Sequence, residues 1–422
     1  MKLKLNSKII SPALLILSAL FIFSSCNDSK KPAECEISFS WWGNDSRHEY
    51  TLKGIDFFHT IHPEITVKPE YAAWSGYEEL FEKHFNEGTN ADVMQINFDW
   101  LYKYSPDGNG FFDFTGFRDV IEFYNFTLPD LEFGTIKGKM NAIPVGFNTI
   151  IPIFNKTMLT QIGLSIPFTW TDVITCARVL KKKNQYLIGA NAKHCFLLVI
   201  AWFEQTHSKK IFADNYHLNV SEEEIGEMLD FMKLLLKEHV IYPEIKDFST
   251  KTLENKQIAG AVAWCNEATL LAKTFESIGG EAALGTFIST KDAAESGWYL
   301  KPVSMYAIKK SCAHPKEAAT LVNFLLNNPT MALLQKCDKG VPASNKSLTA
   351  LMENNALEEL QYSSLMKIRF NSASINAMLP IMENKDLNAA FAQISLDYSE
   401  NHLSKTEASH ELYGKILELL NK

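Results

Sequence analysis

The chain has 422 residues, of which 46% are hydrophobic, 21% charged and 12% aromatic. That composition leaves room for two domains and excludes a low-complexity, collagenous or disulfide-dense chain. A formal charge of −8 argues against nucleic acid or an anionic lipid surface as the main partner.

Lys2, Lys4 and Lys8 open the chain, and no acidic residue precedes Asp28. An apolar run from Ile9 to Phe23 follows, broken only by Ser11, Pro12 and Ser18. A basic start, a short apolar core and small residues at its end predict a signal peptide over 1–25. The run is shorter than the roughly 20 residues a membrane span needs. Phe23-Ser24-Ser25-Cys26 resembles the bacterial lipobox, with Phe where Leu is usual, so Cys26 is the expected lipidation site. Two acyl chains on one cysteine anchor stably. Residues 26–34, short and polar with Pro32, read as the tether. Loss of the three signal lysines takes the formal charge from −8 to −11.

Six further cysteines, Cys35, Cys176, Cys195, Cys265, Cys312 and Cys337, are widely spaced and form no C-x-x-C. They read as buried thiols rather than a disulfide framework. A structural metal would need clustered ligands. None stands close in sequence, so neither metal nor cofactor is expected. His59 and His62 read as a loop-facing pair.

Glu36–Trp42 predicts a first strand, and Gly43-Asn44-Asp45 follows it. Ser46 and Glu49 then make a capping box for a helix with Leu52, Ile55, Phe58 and Ile61 on its apolar face, ended by His62-Pro63. Ile65–Val67 is a second strand. Tyr77, Leu80, Phe81, His84 and Phe85 mark a second helix, and Asp92–Ile96 a third strand. Strand and helix alternating in this way predict an α/β fold with a parallel sheet. Ligands of such sheets sit outside the carboxyl ends of the strands, which puts Trp42 to Asp45 and Asn97 to Trp100 on one rim.

Ile150–Phe154 is a very apolar strand. Thr169 with Asp172 opens a helix, and Ser221 with Glu224 opens another that carries Ile225, Met228, Leu229 and Met232. Asp292–Gly297 is a polar break. Pro315–Asn328 is a helix ended by Pro329, and Gly340-Val341-Pro342 is a further break.

Several segments, taken together and in order, resemble the family 1 extracellular solute-binding proteins, the maltose-binding-like sugar receptors of ABC importers. They are Phe39-Ser40-Trp41-Trp42-Gly43 with Arg47-His48, Thr89 to Met94, Ile143 to Asn148 with Phe154-Asn155-Lys156, Trp298 to Pro302, His314 to Ala319, and Gly340 to Ala343. The resemblance implies a two-lobed periplasmic-binding-protein-like fold (type II), with a hinge and an interlobe cleft. Transferred to this chain, lobe 1 is 35–146 plus 303–343, and lobe 2 is 147–302 plus 344–422. The crossings then fall near Gly146-Phe147, Lys301-Pro302 and Gly340-Pro342.

What the resemblance implies for function is a non-enzymatic receptor, held at the cell membrane on its extracytoplasmic side by the N-terminal lipid. It would be monomeric and capture a carbohydrate, most simply an oligosaccharide, for an ABC permease. A charged solute (organic anion, phosphate ester or polyamine) is the alternative ligand, and a surface glycoside hydrolase the alternative class. No G-x-S-x-G, H-E-x-x-H or P-loop is present. A sugar pocket needs planar aromatics for the C–H faces and fixed polar groups for the hydroxyl edge. The candidate ligand-binding residues are therefore Trp42, Asn44, Asp45, Asp99, Trp100, Asn148, Trp264, Asn266 and Tyr299. Glu267, Trp298 and Lys301 stand beside them. Arg47 and His48 read as surface residues at a helix start, and Trp202 as core.

Overall fold

The computed structural model describes residues 35–214, 217–371 and 375–421. The expected signal peptide, the tether and Cys26 lie outside the described residues. Among the described residues no helix is long and apolar enough to cross a membrane.

Strand β1 (Cys35–Trp42) alternates cleanly, burying Ile37, Phe39 and Trp41 on one face. It pairs in parallel with β2 (Ile65–Ala72) on one side and β3 (Val93–Ile96) on the other. Helix α1 (Asp45–Ile61) lies between β1 and β2, and helix α2 (Tyr77–Glu87) between β2 and β3, as the sequence grammar requires. The cap of α1 differs from expectation. Asn44, not Ser46, is its N-cap, and its side-chain oxygen accepts from the Arg47 amide at 2.9 Å. The buried face of α1 is Tyr50, Thr51, Gly54, Ile55 and Phe58, while Ile61 stays exposed at the frayed end. A fully buried side chain such as Phe58 contributes about 1.5–3 kcal/mol.

Beyond β3 the sheet becomes mixed. The long strand Tyr299–Ile308 runs antiparallel to β3 and to Ala142–Asn148, and Val341–Pro342 closes that edge. All seven residues of Ala142–Asn148 are buried, as in a strand covered on both faces. Gly340 sits at φ +82, and a Cβ there would stand 2.5 Å from the Phe147 carbonyl oxygen, so this turn needs glycine.

A second, smaller sheet has Ile150–Asn155 at its centre, flanked by Gly260–Trp264 and Ala282–Leu284, all antiparallel. Only Thr149, fully buried, separates Asn148 in the first sheet from Ile150 in the second. The return path is Tyr299–Ile308, whose Lys301 pairs across the sheet with Asn148. Helices Ala192–His207 and Lys385–Ser399 pack together beside this second sheet, as do Glu222–Lys237 and Lys405–Leu420. Both expected capping boxes are formed here, Thr169 with Asp172 and Ser221 with Glu224. Trp202 stacks on Phe231 with centroids 4.0 Å apart.

Helix Asn345–Glu353 packs on Pro329–Gln335, which itself packs on α1. Residues 345–353 therefore stay with the first sheet, where 344–422 was expected in the second lobe. The helix Glu359–Asn371 is the first to pack on the second body, against Ala268–Ser277. The break at Gly340-Pro342 is thus an edge strand rather than a crossing. Pro329 likewise starts a new helix at its first turn instead of only ending the one before it.

Candidate functional site

The carboxyl end of β1 delivers Trp42 to the sheet rim, and the carboxyl end of β3 runs straight into helix α3 (Phe98–Tyr104), which carries Asp99 and Trp100 in its first turn. Trp42 is 7% exposed and packs on Trp74, Tyr77 and Trp100 at 5.1, 5.5 and 5.5 Å between centroids. Trp100 is buried and lies parallel to Trp74 at 6.0 Å. Trp74, absent from the expected set, is 43% exposed and forms the accessible side of this cluster. Its signal in sequence was weak, a lone aromatic between a strand and a helix.

Asp99 is half-buried, and its Oδ1 is a buried atom with no hydrogen-bond partner. Burial pushes its carboxyl up to about 6, helped by the negative charges of Glu383 and Glu78 and opposed by Lys301. Asn44 and Asp45, by contrast, are exposed at the start of α1, and Asn44 is spent on the cap. Gly43 has a local reason as well. A Cβ there would stand 2.5 Å from Arg47 Cδ, so glycine lets the arginine stem pass. Arg47 is not a free surface residue: its Nε donates to Asp338 Oδ2 at 2.7 Å, and Tyr50 donates to the same oxygen at 2.8 Å. His48 Nδ1 accepts from Trp41 Nε1 at 3.2 Å.

The second body contributes Trp264, at the end of strand Gly260–Trp264. Lys301 Nζ lies 4.7 Å and Lys193 Nζ 5.7 Å from its ring centroid. Both ammonium groups also bind Glu383 Oε2, at 2.6 and 3.1 Å. Burial opposes ionisation of Glu383, but the two lysines outweigh it and hold the carboxyl below its ordinary value. Burial pulls Lys301 down, partly offset by Glu383. Glu383 Oε1 is buried without a partner.

His194, on the first turn of helix Ala192–His207, packs edge-on against Trp264 at 5.6 Å. Burial, with Lys193 beside it, pulls its imidazole down to about 3, so the ring is neutral. Its Nδ1 lies 2.9 Å from the Val262 carbonyl, to which it donates. Nε2 is then an acceptor, and it has no partner. Asn148 donates from Nδ2 to Asn266 Oδ1 at 2.7 Å, and its own Oδ1 is likewise buried and unpartnered. Asn266 in turn donates to the Asp338 backbone carbonyl at 3.4 Å, tying the second body to the first.

Two expected polar contacts are committed elsewhere. Glu267 accepts from the Trp264 amide at 3.1 Å and serves that turn. Tyr299 is buried, and its hydroxyl sits 2.6 and 2.8 Å from the two Glu204 oxygens, so it braces the second body. Trp298 Nε1 donates to the Ile288 carbonyl at 3.0 Å. Lys193, His194 and Glu383 were missed by sequence reasoning, because nothing near them in sequence announces their partners.

Next to Asp99 and Lys301, a groove of about 520 Å³ runs between the bodies. Phe98, Tyr102 and Phe133 form one wall, and Leu300, Ile375 and Met378 the other. A hollow of about 230 Å³ under α2 is lined by the first body alone. The interlobe region thus combines an aromatic platform in each body with four unpartnered buried acceptors: Asp99 Oδ1, Asn148 Oδ1, His194 Nε2 and Glu383 Oε1. Buried polar atoms are rarely left unpaired unless something else pairs them. Such acceptors suit a ligand rich in hydroxyl donors.

The fold is shared with known proteins. A periplasmic oligogalacturonide binding protein from Yersinia enterocolitica, solved with saturated digalacturonic acid, is 26% identical, covering 92% of this chain and 99% of that chain with a TM-score of 0.81. A periplasmic solute binding protein from Pectobacterium atrosepticum is 28% identical over 92% of this chain and 99% of that one, also with a TM-score of 0.81. A de novo designed esterase, improved by directed evolution and rational design, shares the fold at 25% identity, 92% and 100% coverage and a TM-score of 0.84. The sequence profile of bacterial extracellular solute-binding proteins matches residues 55–360, most of the chain, and the protein belongs to that family.

Proposed function

We propose that this chain is a lipid-anchored, extracytoplasmic receptor that captures an oligosaccharide between its lobes and delivers it to an ABC permease. The observation that carries the reading is the set of four buried, unpartnered acceptors beside Trp264 and the Trp42–Trp74 cluster. Sugar hydroxyls donate to such atoms, and aromatic rings cover sugar C–H faces. A wrong epimer leaves an acceptor unpaired at about 1–3 kcal/mol each, which supplies selectivity. Trp42, Asp99, Trp100, Asn148, Trp264 and Asn266 remain in the proposed site, joined by Trp74, Lys193, His194, Lys301 and Glu383. Asn44, Asp45 and Tyr299 leave it, because they cap a helix, face solvent or brace Glu204.

A second reading of the ligand has its own support. Two ammonium groups beside Trp264 suit an acidic sugar, and the Yersinia relative was solved with digalacturonic acid. Both lysines already share the Glu383 carboxylate, so a uronate would have to compete with it.

The test is a thermal-shift and calorimetric screen of neutral and acidic disaccharides. A ligand at 100 times its dissociation constant stabilises by about 2.7 kcal/mol. Recovery of the sugar unchanged in a one-to-one complex supports the receptor. Turnover, or a shift only with amines or phosphate esters, rejects it. The anchor has a separate test: Cys26→Ser should move the protein from the membrane fraction to the soluble one.

A further inference from the structure

Far from the cleft, the amino end of β1 meets the amino end of helix Pro315–Asn327. An eight-residue strand spans roughly 25 Å. Cys35 therefore sits at the opposite rim from Trp42 and the groove. The sulfur of Cys35, a ring nitrogen of His314 and a carboxylate oxygen of Glu317 all lie within 4.8 Å of one another. Cys35 and Glu317 are half-buried, and His314 is exposed.

Three further features converge there. Lys309 donates its amide to the Asp92 carbonyl at 2.8 Å, which brings the turn before the helix alongside the start of β3. Cys312 closes that turn, its amide donating to the Lys309 carbonyl at 3.0 Å. Asp92 Oδ2 is itself fixed by the Ser38 amide and hydroxyl at 3.0 and 2.8 Å.

The cluster therefore holds one thiol, one imidazole and one carboxylate. A divalent cation bound there would deprotonate the coordinating thiol and offset the carboxylate charge.

We propose that Cys35, His314 and Glu317 hold a zinc ion that fastens the start of β1 to the start of helix Pro315–Asn327. One sulfur, one nitrogen and one oxygen are zinc donors, and water would complete the tetrahedron. The H-x-x-E spacing puts two of the three donors on the cap and first turn of the helix. Pro315 at the first helical position presets the backbone that follows His314. The site clamps the residue that follows the segment 26–34, away from the sugar cleft.

The test uses tag-free protein beginning at Cys26, reduced and stripped of metal. Titration with Co²⁺ should give one equivalent with sulfur-to-cobalt charge-transfer absorption and tetrahedral bands, and Zn²⁺ should displace it. His314→Ala and Glu317→Gln change outward-facing or half-buried groups and should fold, as judged by circular dichroism. Each should weaken zinc at least about tenfold. Cys35→Ser should abolish the charge-transfer band, and Cys312→Ser should keep it. Sugar binding should be unchanged in all four, which keeps failure here distinct from failure of the receptor reading. The proposal is overturned if the reduced protein takes up no metal, or if the exported protein carries a Cys35–Cys312 disulfide by mass spectrometry.

Discussion

Lys301 Nζ lies 2.6 Å from Glu383 Oε2, with side chains only 12% and 8% exposed, and the ammonium stands over the Trp264 ring. Lys301 belongs to the strand that returns from the second body to the first, and Glu383 to a short turn, Pro380–Glu383, between α3 and helix Ala192–His207. The pair therefore ties the crossing strand to the interlobe region.

Glu383→Gln takes from two ammonium groups the carboxylate they are bonded to. Removing one partner of a buried pair costs about 3–5 kcal/mol, and this is the expected loss at neutral pH. The sign of the pH dependence follows from the carboxyl being held below its ordinary value. The stabilisation is complete above the ordinary glutamate range and fades as pH falls through the lowered folded value. Urea melts from pH 3 to 8 should therefore converge for the two proteins at the acid end. The same variant frees both lysines, so its affinity for a uronic acid disaccharide should rise relative to a neutral one. An unchanged ratio would show that the lysines do not face the ligand.

Asp99 should behave in the opposite sense. Its folded value is raised from 3.8 to about 6, so between those limits the native state binds more protons than the unfolded one. Stability of the free protein then declines as pH rises through that window, by at most about 3 kcal/mol. Asp99→Asn should remove the slope and leave the free protein as stable or more stable at pH 7. Sugar affinity should fall by about 1–3 kcal/mol, because an amide is a poorer acceptor than a carboxylate. For the unsubstituted protein, affinity should drop on acidification below about pH 6. A calorimetric series that stays flat from pH 5 to 7.5 would remove Asp99 from the site.

Tyr299 separates bracing from binding. Burial pushes the Glu204 carboxyl up to about 7, and the Tyr299 hydroxyl is the main group holding it down. Tyr299→Phe removes that donor and, among the described residues, leaves the Ile211 amide at 3.0 Å. A loss of about 1–3 kcal/mol in chemical denaturation is expected. The sugar dissociation constant should stay within about twofold. A large loss of affinity at unchanged stability would return Tyr299 to the ligand shell.

What could be read from sequence was what is local. Capping boxes at Thr169 and Ser221 involve residues three apart, and the alternation in β1 is one strand's pleat, so both survive without knowledge of the fold. The placing of Trp42 and Asp99 at the strand ends of the first sheet was legible because carboxyl ends of strands form one rim in an α/β sheet, whereas Trp264 came from the family resemblance. Asn44 was misjudged because a cap and a ligand contact want the same amide. Lys193 and Glu383 come from separate helical segments far apart in the chain, and neither carries a local pattern. Cys35 was read only as a thiol, since sequence spacing cannot show that His314 and Glu317 fold onto the same rim.

The bridge from Asn148 through Asn266 to the Asp338 carbonyl joins the two bodies by side-chain hydrogen bonds alone. Each such bond contributes about 0.5–1.5 kcal/mol. Asn266→Ala breaks both bonds and should shift the free protein toward an open form by about tenfold in population, since 1.4 kcal/mol is a factor of ten. Small-angle scattering would register this as a larger radius of gyration for the free variant, restored to the original value on saturation with sugar. Affinity is reduced by the fraction of molecules able to close, so a matching loss of about tenfold is expected even if Asn266 never touches the ligand. A cross-link between the bodies separates the two contributions. If Asn266 acts through closure, the loss appears with the enlarged free form, and a cross-link between the bodies restores affinity. If cross-linking leaves affinity low, the asparagine contacts sugar directly and the bridge does not set the hinge.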